Sequence, residues 1–178
     1  MVVLEIPTLT TERLRLRPLR RSDVEAYAAL NADPEVLRCA YGETKPWDLG
    51  RSWRYLAFLW GHWVLGGCGT WAVEHRETGA FLGLVGFSEP EGWPGCELAW
   101  HLDRASWGHG YATEAARAAL GYAFGELGKE RIISLIHPDN HASLRVAEKV
   151  GEKLVRRIEH LGREMLCYGI ERPSPAGA

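Results

Sequence analysis

Residues 97–127 read ELAWHLDRASWGHGYATEAARAALGYAFGEL, and their layout decides the fold. An apolar, strand-like run enters a turn marked by Gly108 and Gly110, and the turn opens directly onto a long amphipathic helix. Ala112, Ala115, Ala116, Ala119, Leu120, Ala123, Phe124 and Leu127 recur at helical spacing. The stripe is mostly alanine, so this helix can lie close against a sheet. Its first turn has N–H groups with no internal partner, and the peptide dipoles add partial positive charge there. Glycine lets the backbone approach a ligand and take positive φ. Strand, glycine turn and helix N-terminus together predict an anion site, and a phosphate-bearing cofactor is the first expectation.

Outward from that stretch, Gly128 closes the helix and Arg131–Ile136 (RIISLI) reads as a short buried strand. Strand, helix, strand implies parallel pairing of the two strands through a right-handed crossover. Asp139-Asn140 then starts a helix, NHASLRVAEKVG. Lys153–Leu161 and Glu164–Ile170 form a last pair of strands joined through Gly162-Arg163. On the other side, Thr70–Arg76, Ala80–Ser88 and Cys96–Leu102 alternate as an antiparallel meander. The third of these strands places Glu97, Ala99 and His101 on one face. Leu49–Leu65 reads as a helix whose aromatics Trp53, Phe58, Trp60 and Trp63 mostly pack as core, and Tyr41–Asp48 as a loop. Ser22-Asp23 caps a helix that ends over Asn31–Pro34. Arg13–Leu19 (RLRLRPL) has the alternation of a half-buried strand. Its arginines read as a solvated face, with an anion-binding face as the competing reading. The class is α+β, with a mixed, mostly antiparallel sheet of six or seven strands. One domain is expected over residues 1–172, with a frayed tail at 173–178.

Composition narrows the function. The 178 residues are 46% hydrophobic and 25% charged, which fits a globular chain able to bury a core. A net charge of −2 gives no footprint for direct nucleic-acid binding. The most apolar run, Tyr55–Leu65, is too short to span a bilayer, so no membrane partner is expected. The N-terminal MVVLEIPTLTTERLRLR lacks the layout of a secretory signal. Cys39, Cys68, Cys96 and Cys167 form no CxxC pair, and a reducing, cytoplasmic setting is expected. His137 and His141 (HPDNH) straddle Pro138 off any shared helical face, so no metal site is expected.

The motifs TERLRLRPLRRSDVEAY, ELAWHLD, SWGHGYATEA and NHASLRVAEKVG together resemble the GNAT superfamily, the Gcn5-related N-acetyltransferases, and most of all its ribosomal-protein N-terminal acetyltransferase (Rim-type) branch. The resemblance covers nearly the whole chain. It implies helices on both faces of the sheet and a splayed parallel pair, here Cys96–Leu102 and Arg131–Ile136. Acetyl-CoA would lie in the splay as co-substrate. The pyrophosphate would sit over the backbone of Trp107, Gly108, His109, Gly110, Tyr111, Ala112 and Thr113, and the strand end at His101 and Leu102 would border the thioester. The family often has Gln or Arg three residues before the first glycine. Here Ala105 stands there, and Arg104 is the nearest charge.

The implied reaction is direct attack of a primary amine on the thioester in a ternary complex. The acceptor would be a protein N-terminus, such as that of a ribosomal protein, or a small amine, and the enzyme a monomer or homodimer. An amine that is largely protonated at neutral pH needs a general base. Glu97 is the chosen base, read against the plainer view of an edge carboxylate paired with an arginine. His101, on the same face, competes with it. Asn140 is a helix cap that the resemblance also sets against the pantetheine arm. Ser143 is a polar residue near the helix start that the resemblance sets against the CoA sulfur as a donor. The acceptor side would be built from the first helices and the final strands, with Trp47, Trp53, Trp60 and Trp93 as candidate aromatic lining. The competing function is a catalytically silent CoA-binding sensor or interaction module.

Overall fold

Alternating leucines and arginines form β2 (Leu14–Arg17), which pairs with the short β1 (Leu9–Thr10). Three helices follow: α1 (Asp23–Leu30), α2 (Pro34–Tyr41) and α3 (Leu49–Gly66). The meander is β3 (Thr70–His75), β4 (Phe81–Ser88) and β5 (Glu97–Leu102). A short 3₁₀ turn (Arg104–Ser106) leads to α4 (Tyr111–Gly125), then β6 (Arg131–Ile136), α5 (His141–Val150), β7 (Lys153–His160) and β8 (Arg163–Glu171). The computed structural model describes residues 5–174, so most of the expected tail lies outside the described residues. The strands make one sheet in the order β1-β2-β3-β4-β5-β6-β8-β7.

Helices cover both faces. The alanine stripe of α4 packs on Leu14, Leu16, Trp71, Val73, Val85, Phe87 and Leu98, and Ala115, Ala116, Ala119 and Ala123 are fully buried there. On the other face, α1, α2 and α3 pack Val24, Tyr27, Leu30, Leu37, Leu56 and Leu59 with Leu84 of β4. β4 and β5 approach closely at Gly83, where a Cβ would lie 2.2 Å from the His101 carbonyl oxygen and φ is +139°. Only glycine fits this conformation at that separation.

Every neighbouring strand pair is antiparallel except β5 with β6. Those two share one register pair, Glu97 with Ile133, where the Ile133 N–H donates to the Cys96 carbonyl at 3.0 Å. A continued parallel ladder would next carry the Leu135 N–H to the Leu98 carbonyl. Instead Ser134 Oγ donates to the Leu98 carbonyl at 2.7 Å, and the Leu135 N–H is turned toward the Glu97 carboxylate. The Ser134 hydroxyl thus takes the place of the Leu135 N–H at the Leu98 carbonyl. The strands part from there, and the sheet forks.

The structure amends several expectations. The sheet has eight strands rather than six or seven, because the two-residue β1 adds an edge. Residues 34–41 form a helix of their own: the Asp33 carboxylate accepts from the Glu35 N–H, Pro34 opens the first turn and Gly42 closes the last. Ser22 makes no side-chain cap; Asp23 accepts the Arg20 N–H at 2.7 Å instead. Arg17 is not solvated but buried between Asp23 and Glu74. Among the α3 aromatics Trp63 is core, whereas Trp53 and Trp60 are 49% and 42% exposed.

Candidate functional site

Two cavities meet in the fork. The first, of about 230 Å³, runs from Trp100, His101 and Leu102 at the end of β5, past the turn before α4, to one face of α5. The second, of about 380 Å³, lies toward α2, α3 and the β7–β8 hairpin. Trp100, His101, Asn140, Ser143, Cys39 and Ala40 line both and form the passage between them.

The first cavity collects most of the predicted cofactor residues. Trp107, Gly108, Gly110, Tyr111, Ala112 and Thr113 line it, with His101, Leu102, Asn140 and Ser143. Gly110 is the α4 N-cap, in the left-handed region at φ +82°, and no side chain caps the helix. The first N–H groups of α4 are therefore free to meet an anion. His109 is the exception: it does not line the cavity, its ring stacks on Tyr111, and its carbonyl accepts from Arg13 Nη1 at 2.9 Å. Arg104 turns toward Asp33, 3.7 Å away, and neither it nor Ala105 lines the cavity. The sequence reading missed Arg145 and Lys149, which do. A signal existed, since Ala142, Arg145, Val146 and Lys149 share one face of a helix at helical spacing.

At the passage, Asn140 caps α5: its Oδ1 accepts from the Ser143 N–H at 3.1 Å, and its Nδ2 donates to the Cys39 carbonyl at 3.0 Å. The second bond ties α2 to α5 across the fork. Ser143 Oγ accepts from Trp100 Nε1 at 3.2 Å. An indole nitrogen only donates, so this bond leaves the serine proton free for another acceptor.

A model for the acetyltransferase (GNAT) domain matches residues 13–153. The chain belongs to the GNAT acetyltransferase family. Among its relatives, YkkB of Bacillus subtilis is 34% identical over 165 residues, 90% of this chain and 93% of that one. The uncharacterized N-acetyltransferase p20 of Bacillus licheniformis is 28% identical over 157 residues, 85% of this chain and 87% of that one. A solved acetyltransferase from Agrobacterium tumefaciens superposes with a TM-score of 0.83 at 33% identity, covering 96% of this chain and 98% of that one. RimJ of Mycobacterium smegmatis, solved with CoA-disulfide, shares the fold at 21% identity and a TM-score of 0.76, covering 93% of this chain and 87% of that one.

In this GNAT chain the titratable groups of the fork differ sharply. Glu97 lines the second cavity, and its carboxylate accepts from Trp93 Nε1 at 2.6 Å. Burial pushes its pKa up to about 7, against the hydrogen bonds from Trp93 and the Leu135 N–H. A base with a pKa near working pH is well matched to proton transfer. Burial drives His101 the other way, to about 3. Its Nδ1 lies 3.4 Å from Tyr41 Oη and its Nε2 has no protein partner. A histidine that so disfavours its charged form is a poor proton acceptor at neutral pH, whereas the Glu97 carboxyl titrates close to it.

A second carboxyl stands behind the fork. Glu152 is 2% exposed, and its Oε1 lies 2.9 Å from Ser134 Oγ. Ser134 has one hydroxyl proton and gives it to the Leu98 carbonyl, which can only accept. Ser134 Oγ is thus shared between two acceptors while Glu152 is ionised, and a protonated Glu152 relieves this by donating to Ser134 instead. Burial raises its pKa from an ordinary 4.5 to about 7, the Glu97 charge adding to the effect. A carboxyl raised in the fold stabilises fully below its unfolded pKa, and that contribution is lost as pH rises through the folded value. We expect Glu152→Gln, which keeps a donor for Ser134, to remove a stability loss of roughly 2–3 kcal/mol between about pH 4.5 and pH 8. Urea unfolding across that range measures it, and parallel wild-type and variant curves would exclude the assignment.

Of the four tryptophans expected around the acceptor, only Trp93 lines a cavity. Trp47 is buried in the helical core, and Trp53 and Trp60 face outward.

Proposed function

We propose that this protein transfers an acetyl group from acetyl-CoA to a primary amine, by direct attack in a ternary complex. The observation that carries the reading is the fork between β5 and β6, which joins an anion-ready cavity to an acceptor cavity holding a raised carboxyl. Acetyl-CoA fits the first cavity. The uncapped N–H groups of α4, with Arg145 and Lys149, would hold its phosphates. Acetyl-CoA supplies the activated acyl group. Glu97 takes the proton of the attacking amine. A backbone N–H at the open end of β5 would support the developing oxyanion. The free proton of Ser143 is available to a departing thiolate, and Asn140 sets the position of that hydroxyl through its bond to the Ser143 N–H. The four cysteines are free thiols, in keeping with work in the cytoplasm.

Calorimetric titration with acetyl-CoA, followed by release of CoA thiol across a panel of amines and N-terminal peptides, tests this. Saturable binding with turnover of at least one amine is expected. Binding without turnover on any amine would favour a CoA-binding module that performs no chemistry. We further expect Ser143→Ala to lower kcat roughly 10-fold or more, as loss of a donor to developing charge does, with acetyl-CoA affinity within a factor of about 2. Unchanged kcat would remove Ser143 from the reaction.

A further inference from the structure

The second cavity carries a recognition pattern of its own. Its walls are largely aromatic and apolar, with Tyr55 and Phe58 from α3, Trp93 before β5 and Met165 from β8. Among its lining residues there is one carboxyl group, Glu97, and one guanidinium, Arg163. Arg163 is half-buried and makes no side-chain hydrogen bond or ion pair among the described residues. Its neighbours differ: Arg157 pairs with Glu164, and Arg131 with Glu171. The Arg163 guanidinium lies instead against the backbone of Gly42, where a Cβ would fall 2.4 Å from its Cζ. The side chain thus reaches from the β7–β8 hairpin to the end of α2, two elements that border the same cavity. A half-buried guanidinium with no counter-ion loses hydration without recovering it from the protein. A planar fork of donors of this kind matches a carboxylate.

We propose that the acceptor is a small primary amine joined to an aromatic or bulky apolar body and a carboxylate, with Arg163 pairing the carboxylate while the amine faces Glu97. This rests on the acetyltransferase reading above and specifies its substrate class. The aromatic walls take the body, and Arg163 fixes its orientation. The amine faces Glu97, which lines the same cavity. A protein N-terminus offers the amine, but its α-carboxyl is tied up in the peptide bond, so an N-terminus without an acidic side chain would leave Arg163 unpaired.

The test uses matched pairs: phenylalanine, 3-amino-3-phenylpropanoate and 4-(aminomethyl)benzoate, each against its neutral carboxamide, with a peptide bearing an N-terminal phenylalanine as a further arm. CoA thiol release is the readout. At least one carboxylate should be turned over with kcat/KM roughly 10- to 100-fold above its amide, the range of a charged hydrogen-bonded pair. Arg163→Met should erase that preference through KM, with kcat within about 2-fold, and Arg163→Lys should retain part of it. Calorimetric binding of acetyl-CoA to each variant shows that the fold is kept. Amides or the peptide acetylated as well as the carboxylates would overturn the proposal, as would equal loss on both members of a pair in Arg163→Met. Turnover of other amines alone would overturn it while the acetyltransferase reading stands. Absence of turnover on every amine would overturn both.

Discussion

Glu97→Gln is expected to lower kcat by roughly 10²- to 10⁴-fold, the span of a positioned general base, while acetyl-CoA binding stays near wild type. Glutamine keeps an acceptor oxygen for Trp93 Nε1 and the Leu135 N–H, so the fork should hold. What is lost is the capacity to accept a proton. The pH dependence separates this from a packing effect. Burial sets the Glu97 pKa at about 7, so wild-type kcat/KM should rise with pH through that value as the carboxylate forms. The glutamine variant should lack this limb. His101→Asn should retain it, because burial holds the histidine down at about 3 and it is already neutral throughout the range. Glu97 and Glu152 influence each other, so the wild-type limb belongs to the pair rather than to one group. In Glu152→Gln the limb should sharpen to a single ionisation. Steady-state thiol release from about pH 5.5 to pH 9, using an amine in excess, measures all four proteins. A wild-type rate in Glu97→Gln, or a limb that survives in it, would remove Glu97 from the chemistry.

How much of this was legible depended on the range of the forces involved. The strand–glycine–helix unit could be read because its signals are local: glycines at the turn, alanines at helical spacing and a short β-branched strand beyond. The parallel pair followed from connectivity. The turn before α4 and the Asn140 cap of α5 are marked by the same kind of local signal. The α2 helix was not read because Asp33-Pro34 serves as the stop of one helix and the start of the next, and a single sequence shows only the interruption. The cause of the fork was illegible. Ser134 looks like any small residue in RIISLI, and Glu152 like a surface residue after a helix-ending glycine; their bond exists only once β6 and the chain after α5 are folded together. Arg163 is similar, since Gly42 lies far away in sequence. The tryptophans show the opposite failure. Aromatic content drew attention to Trp53 and Trp60, yet their side of α3 turns away from both cavities.

Arg17→Met is expected to destabilise the fold by about 3–5 kcal/mol at neutral pH, the cost of removing one partner from a buried ion network, out of a total that is typically about 5–15 kcal/mol. Alternation in RLRLR correctly predicts a strand, and a two-period pattern would leave Arg17 in water. Two carboxylates from elsewhere draw it in. Arg17 Nη1 and Nη2 donate to the two oxygens of Asp23 at 2.8 Å each, and Nε donates to Glu74 at 2.6 Å. The three residues are only 5%, 4% and 7% exposed. The network joins β2, β3 and the first residue of α1. It also bears on the site, because α1 carries Tyr27, whose ring packs edge-on against His101 at 5.8 Å. Without the guanidinium, Asp23 and Glu74 would be buried together with no cation between them except Arg15, which reaches Glu74 from the surface at 2.9 Å. The sign with pH follows. Burial alone would push the Glu74 carboxyl up, but the hydrogen bonds and charges of Arg17 and Arg15 outweigh it and hold it below its ordinary 4.5. Wild-type stability from this group is therefore present above that value and lost as pH falls through the folded pKa. In the variant burial is no longer outweighed, the pKa rises, and its stability is lost as pH rises instead. The gap between the two proteins should be widest at neutral pH and narrow toward about pH 4.5, where protonation relieves the unpaired Glu74 carboxylate. Urea unfolding midpoints at those two pH values measure it. Combining Arg17→Met with Asp23→Asn and Glu74→Gln should recover much of the loss, because neutral partners no longer need the cation. A loss under about 1 kcal/mol in the single variant would fit a surface pair and contradict the burial of this network.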